Sequence, residues 1–446
     1  MKKTKVHIVS LGCPKNLVDS EVMSAGLVQS GYALTPHEEE AEIILINTCA
    51  FILPAKEESI AEILRLAEWK KKGACRYLVV TGCLSQRYTG DLEKDLPEVD
   101  LFLGTAEAGS IAKHLQAMQS DQSQARSNIA QPTFLMTHLH QRILATPSYS
   151  AYLKIAEGCS NRCSYCIIPS IRGGYRSRKE ADILKEAETL ADQGVRELIL
   201  IAQDVTAYGS DLSGKSSLAA LLTALSGIKG IRWIRLLYTH PESLTDDVLE
   251  VMAGNEKICR YIDFPIQHID DDILKAMHRR VDSALIKAKI ERARYLMPDV
   301  ALRTSIIVGF PGEKQKHFNK LIDFVLEARF DHLGVFTYSR EEGTPAADLA
   351  GQVGEKVKQK RRDLLMEEQA AISYEINQSL IGSIQEIIIE GDSDRPGYLA
   401  ARSRRQAPEI DGITYLKKGK MRRPGSIIPC RIVSATEYDL FAEEEK

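Results

Sequence analysis

The sequence predicts an α/β chain in three parts: an amino-terminal α/β domain, a central partial, TIM-like (βα)6 barrel, and a small carboxy-terminal antiparallel β-barrel of OB-like type. Two patterns carry this prediction. Short apolar runs alternate with amphipathic helical stretches from residue 6 to 118 and again from 153 to 338, as parallel strands with crossover helices do. After residue 380 the pattern changes to short strand candidates punctuated by turn residues. A length of 446 residues, at roughly 150 per domain, accommodates three parts.

In the first part, Val6–Leu11, Ile43–Asn47 and Tyr77–Thr81 are apolar runs suited to buried parallel strands, and Ser59–Lys71 has a helical pattern. The order is lost over residues 119–145, where Gln119-Ser120-Asp121-Gln122-Ser123-Gln124 opens a polar linker. The central part offers strands at Leu153–Ala156, Glu197–Ala202, Ile231–Leu237, Tyr261–Ile266, Leu302–Val308 and Leu333–Tyr338. Helical stretches separate them, among them Ala181–Asp192, Asp270–Arg280 and His317–Ala328. Six such units fall short of the eight that close a TIM barrel, so an open barrel is predicted. Lys356–Gln378 reads as one charged helix at its outer end. The last strands are Ile384–Glu390, Tyr398–Arg402, Glu409–Tyr415 and Ile427–Val433, with turns at Asp394-Arg395-Pro396-Gly397 and Arg423-Pro424-Gly425. The expected domains are 4–119, 145–375 and 378–444.

Composition sets outer bounds. With 44% hydrophobic and 27% charged residues, the chain is neither collagen-like, nor a disulfide scaffold, nor wholly disordered. No run approaches the ~18 apolar residues of a membrane span. A net charge of −3 identifies no partner by itself. Lys2 and Lys3 before Val6-His7-Ile8-Val9-Ser10-Leu11-Gly12-Cys13 superficially suggest a lipoprotein signal, but the apolar stretch is short and holds a histidine. A first β-strand in a cytoplasmic protein is the better reading, and nine cysteines are then reduced thiols open to metal or catalysis.

Cys159-x3-Cys163-x2-Cys166 is the most informative spacing. Three close thiolates suit three irons of a [4Fe–4S] cube and leave the fourth iron free for substrate or cofactor. A structural zinc would want a fourth ligand nearby, and Asn161, Arg162, Ser164 and Tyr165 supply none. Cys13, Cys49 and Cys83 each end one of the three amino-terminal strands, so they can converge at the carboxyl edge of one sheet. Cys75, Cys259 and Cys430 share no such placement and read as structural.

The triad after the first barrel strand resembles that of the radical S-adenosylmethionine (SAM) superfamily, in which SAM binds the open iron and is cleaved to a 5′-deoxyadenosyl radical. Over residues 4–443 the chain resembles the methylthiotransferases, which join a cluster domain, a radical SAM barrel and a TRAM domain. The resemblance implies two [4Fe–4S] clusters, an auxiliary one on Cys13, Cys49 and Cys83 and a catalytic one on Cys159, Cys163 and Cys166. It also implies two SAM molecules, one donating methyl and one forming the radical.

Ser-Leu-Gly-Cys-Pro-Lys-Asn-Leu-Val-Asp-Ser-Glu (10–21), Pro265-Ile266-Gln267-His268-Ile269-Asp270 and the segment from Arg402 to Gly412 resemble the branch that β-methylthiolates an aspartate in the twelfth protein of the small ribosomal subunit. Gly174, in the loop 171–175, is a minor departure. Two alternatives remain at this stage: a tRNA adenosine methylthiotransferase and a non-catalytic RNA-binding metalloprotein.

SAM orientation is expected from strand ends. The candidates are Gln203 and Asp204, Gln267, Arg303 and Ser305, with Tyr165 at the aromatic position near the adenine. Arg303 could pair bidentately with the SAM carboxylate, while His240 and His268 fit either the substrate mouth or loop hydrogen bonding. The Gly309-Phe310-Pro311-Gly312 turn is not a nucleotide fingerprint. From Arg395 to Arg431, ten Lys and Arg stand against Glu409 and Asp411, a local excess of +8 that suggests contact with ribosomal RNA. An external electron donor is required, and the sequence leaves the sulfur donor open.

Overall fold

The computed structural model describes residues 3–120, 125–214 and 216–445. Lys2 and the linker core 121–124 lie outside the described residues.

The amino-terminal sheet comprises β1 (Lys5–Ser10), β2 (Ala33–Leu34), β3 (Ile43–Thr48), β4 (Tyr77–Gly82), β5 (Leu101–Leu103) and β6 (Ser127–Asn128). Their order is β2-β1-β3-β4-β5-β6, and every pair is parallel. Ile43–Thr48 is buried throughout, which its unbroken apolar run requires of a central strand covered on both faces. Helix α1 (Pro14–Gln29) follows β1 and helix α2 (Leu53–Ala67) follows β3, each with proline in its first turn, where no backbone donor is lost.

In the central part, β7 (Ser150–Lys154) is followed by the small antiparallel pair β8 (Ala156–Glu157) and β9 (Arg176–Ser177). Then come β10 (Glu197–Ile201), β11 (Trp233–Leu236), β12 (Ile258–Asp263), β13 (Ala301–Val308) and β14 (His332–Thr337). The sheet runs β14-β13-β12-β11-β10-β7, all parallel, and its two edges do not pair. This is the predicted open barrel. Finally β15 (Ile384–Asp392), β16 (Tyr398–Ser403), β17 (Thr414–Lys417), β18 (Ile427–Ala435) and β19 (Leu440–Glu444) close a barrel in the order β15-β16-β17-β19-β18. Its β17–β19 pair is parallel, the one exception to the antiparallel pattern.

Several predicted boundaries move, each for a local reason. The strand expected at Tyr261–Ile266 is Ile258–Asp263, ending short of Pro265, which has no ladder donor. The helix expected at Asp270–Arg280 is only Asp271–Ala276, capped by the Asp270 carboxylate and followed by His278 at φ 55. The strand expected from Glu409 begins at Thr414, because Glu409 sits at φ 67 in a turn where Asp411 accepts the Ala407 N–H. The helix expected from Ser59 begins at Leu53, and β19 has no counterpart among the predicted strands.

Outside the central sheet, strands and helices share one large apolar core. Inside it, Tyr152, Ile199, Trp233, Cys259 and Tyr261 pack against Ile388 and Ala407 of the small barrel and Val18 and Val22 of α1. The small barrel therefore plugs the amino-terminal end of the open barrel. Glu197, the first residue of β10, clamps it there: its carboxylate accepts from Arg402 at 2.6 Å and Arg235 at 3.0 Å, with both Glu197 and Arg235 fully buried. Burial opposes the charge on Glu197, but Arg402 and Arg235 override it and hold the carboxyl at about 2. The amino-terminal domain spans the gap between the unpaired edges. It meets β7 through Asp19 and Lys154, and the loop after β14 through Lys56 and Arg87, both 2.8 Å from Glu341.

Candidate metal centres

Cys49 and Cys83 follow β3 and β4 directly and Cys13 lies three residues past β1, all at the carboxyl edge of one sheet. Their convergence rests on glycine. Gly12 has φ +89, and a Cβ there would stand 2.7 Å from Cys49 Cβ and 3.0 Å from its Sγ. Asn16 pins the loops, donating to Leu11 O at 3.0 Å and Thr48 O at 2.9 Å, while Ser59 Oγ accepts from Cys49 N at 3.1 Å.

Cys159, Cys163 and Cys166 lie on the loop after β8. Cys159 N donates to Gly173 O at 3.0 Å, and Cys166 N to Cys163 O at 3.1 Å. Gly158, at φ +77, faces Gly174 so closely that a Cβ would come within 2.1 Å of its carbonyl oxygen. Arg279 donates toward Cys163 Sγ at 3.8 Å and to Pro265 O at 2.9 Å.

The two triads meet through adjacent residues. While Gly173 receives the Cys159 N–H, its neighbour Arg172 reaches across the domain interface to Cys83 Sγ at 3.5 Å and to Asn16. Arg172 also pairs with Asp19 at 2.6 Å and lies 3.6 Å from Glu157, and Lys154 bridges the same two acids. Sequence reasoning missed Lys154, Glu157 and Arg279, and noted Asn16 only within the 10–21 motif and Arg172 only as part of a loop; the position of Glu157 two residues before Cys159 was the one local signal for the missed residues.

The donor sets fit iron–sulfur clusters. Burial pushes the Cys83 and Cys166 thiols up to about 12, Cys159 to about 11, and Cys49 upward. Such thiols become ligands when a metal charge takes the place of their protons. Among the described residues, the one His, Cys, Asp or Glu group whose ligand atoms all lie within 4.8 Å of one another is Asp270, Asp272 and His317, with no cysteine. In each triad at least one pair of sulfurs therefore stands more than 4.8 Å apart, beyond the ~3.8 Å of a tetrahedral zinc site.

Of the other predicted site residues, Gln203 and Asp204 flank the second triad. Gln203 donates to Glu157 Oε1 at 2.7 Å and leaves its own Oε1 buried without a partner. Asp204 accepts from Asn161 at 2.9 Å and Thr206 at 2.7 Å, and burial raises its pKa. Tyr165 packs with Phe310 and Tyr338. Gln267, at φ 70, joins β13 through its backbone, donating to Ser305 O at 2.9 Å. Arg303 pairs with Asp263 at 2.9 Å, reaches Asp411 of the small barrel at 3.5 Å and contacts Ser305 Oγ at 3.4 Å. His268 is fully buried and accepts from Asp270 N, whereas His240 keeps both ring nitrogens buried and unpartnered, with burial depressing its pKa to about 2.

The +8 stripe is largely neutralised in three dimensions. Arg402, Arg404, Arg405, Lys417, Lys418, Arg422 and Arg431 each face an acid from outside the 395–431 window. Lys420 and Arg423 are exposed, and Arg395 lies over Tyr415 at 4.6 Å and Phe441 at 5.1 Å.

Residues 153–325 match the radical SAM superfamily, residues 5–104 the uncharacterized protein family UPF0004, and residues 381–444 the TRAM domain. An open parallel barrel with this cysteine loop places the chain among the radical SAM enzymes. Solved structures agree on the fold alone: the methyltransferase TsrM of Kitasatospora setae superposes with a TM-score of 0.59 at 13% identity over 95% of this chain and 80% of that one. OxsB, a cobalamin-dependent SAM radical enzyme, gives 0.52 at 11% identity over 83% of this chain and 56% of its own. The ribosomal protein uS12 methylthiotransferase RimO of Syntrophus aciditrophicus is 62% identical, covering 99% of both chains, and that of Geobacter sulfurreducens 50% identical over 99% of this chain and 98% of its own. The chain belongs to the RimO family of radical SAM methylthiotransferases, transferases that use two [4Fe–4S] clusters and SAM. Among the described residues, no helix is long and apolar enough to cross a membrane.

Proposed function

We propose that this enzyme β-methylthiolates an aspartate of ribosomal protein uS12 in the cytoplasm. The geometric observation that carries the reading is the Arg172–Gly173 junction, which ties Cys83 of one triad to Cys159 of the other. Sulfur insertion at an unactivated carbon needs two centres facing one substrate, and the chain-long likeness to uS12 methylthiotransferases favours this substrate over a tRNA adenosine.

Cys159, Cys163 and Cys166 would hold the cluster that receives SAM, and Cys13, Cys49 and Cys83 the auxiliary one. When bound, these clusters supply the electron for SAM cleavage and the site where sulfur is methylated. Arg172 and Arg279 place positive charge beside Cys83 and Cys163, offsetting the accumulated thiolate charge. Gln203, Asp204, Gln267 and Ser305 would orient SAM, with the free Gln203 Oε1 available as an acceptor for its amino group, whereas the Arg303 guanidinium expected to meet the SAM carboxylate is taken up by Asp263 and by Asp411 of the small barrel. Tyr165 would border the adenine from the Phe310 and Tyr338 cluster. Lys15, buried with its Nζ 3.2 Å from the Tyr238 ring centroid, would join α1 to the end of β11 beside the site. Electrons would come from an external donor.

The small barrel sits at the opposite end of the strands. Lys420, Arg423 and the Arg395–Tyr415–Phe441 face would contact ribosomal RNA at a distance from the modified residue. Mass spectrometry of small ribosomal subunits and tRNA nucleosides, from cells lacking the protein and from complemented cells, tests the assignment. A methylthio gain on a uS12 aspartate is expected; the same gain on a tRNA adenosine with uS12 unchanged would overturn it.

A further inference from the structure

Helix α2 starts four residues after Cys49 and turns Ser59, Ile63 and Leu66 inward. A surface helix ordinarily shows water a polar outer face. Here Leu53 is 51%, Ile60 37% and Leu64 47% exposed, and Phe51, just ahead of the helix, is 40% exposed. Positions 53, 57, 60 and 64 follow the three-or-four-residue spacing of one helical stripe, so these side chains form a continuous strip.

The charge along the strip is one-sided. Glu57 and Glu58 are exposed and make no ion pair among the described residues. Both cations of the helix are engaged: Lys56 turns away to Glu341, and Arg65 pairs with Glu38 and Glu62. The strip is also continuous with the barrel mouth, since Leu53 N donates to Ser339 Oγ at 3.4 Å in the loop after β14.

The geometry points to the outer strip of α2 as the docking surface for a basic segment of the substrate ribosomal protein, apolar side chains lying on Ile60 and Leu64 and cations on Glu57 and Glu58. This rests on the uS12 reading above. A protein that lives on RNA carries excess Lys and Arg to neutralise phosphates, which matches two unpaired carboxylates. RNA itself fits poorly: the carboxylates repel its backbone, and on the helix Leu53, Ile60 and Leu64 offer no stacking face, Phe51 standing ahead of it. From Leu53 to Leu64 the strip covers four positions of the helix over roughly 17 Å at the helical rise, so a segment lying along it can extend a side chain into the mouth.

The test uses reconstituted holoenzyme with purified uS12, comparing wild type with an Ile60→Glu/Leu64→Glu variant and a Glu57→Lys/Glu58→Lys variant. Both should raise KM for uS12 about tenfold or more, keep kcat within about twofold, and leave SAM cleavage without uS12 unchanged. The charge-reversed variant should also invert the salt dependence of KM, which rises with salt in the wild type and falls with salt in the variant, as ions screen attraction and repulsion alike. Unchanged KM in both variants, with the wild type still modifying uS12, overturns the docking surface while sparing the function. A wild type that modifies a tRNA adenosine and leaves uS12 untouched overturns the uS12 reading and with it the occupant named here.

Discussion

Replacing Arg172 by methionine removes the guanidinium that joins the two cysteine triads, and the structure sets the size of the effect. Arg172 is 4% exposed, and its group sits among Asp19, Glu157, Asn16 and Cys83. Asp19 and Glu157 face two cations, Arg172 and Lys154, so the buried cluster is neutral as it stands. Methionine keeps much of the volume but leaves two acids against one lysine. An uncompensated buried charge of this kind costs about 3–5 kcal/mol, a large share of the roughly 5–15 kcal/mol that keeps a domain folded. Arg65→Met is the control: Arg65 also pairs with two glutamates, but it is 50% exposed, and such a loss costs under about 1 kcal/mol. Urea unfolding followed by circular dichroism measures both. Adding Asp19→Asn to Arg172→Met should recover about 1.5 kcal/mol or more in the double-mutant cycle, because it removes the orphaned charge. If Arg172→Met loses less than about 1 kcal/mol, or the two changes add independently, the neutral-cluster reasoning is wrong.

Glu197 gives a pH-dependent counterpart. Its folded pKa of about 2 lies below the unfolded value near 4.3, so its stabilisation is full above pH ~4.3 and fades as pH falls toward 2. The gap in urea stability between wild type and Glu197→Gln should narrow by on the order of 1.5 kcal/mol between pH 5 and pH 3; a gap independent of pH would contradict the clamp. Gly12→Ala forces a Cβ to 2.7 Å from Cys49 Cβ at φ +89. Reconstituted iron should then fall from about eight to about four per chain, with SAM cleavage retained. Cys430→Ala, far from both triads in the small-barrel core, should keep full iron content by the same assay. Lys420→Glu/Arg423→Glu should slow modification of assembled small subunits severalfold and leave free uS12 unaffected, read by peptide mass spectrometry.

The strands and the two triads were legible because their signals are local. An apolar run such as Ile43–Thr48 declares burial within six residues, and three cysteines in a span of eight necessarily share one loop. Boundaries were less legible where a single residue outweighs periodicity, as Pro265 does at the end of β12 and Glu409 before β17. Local sequence therefore determined the three-part architecture and the cysteine positions. Only the tertiary structure decided which charges meet: Arg172 finds Asp19 across 153 positions, Arg402 finds Glu197 across 205, and the apparent +8 of the small barrel is mostly answered by acids from other segments. Periodicity reports which face of an element is buried. A Coulomb pair depends on distance in space, which chain spacing does not encode once strands from distant segments are brought side by side.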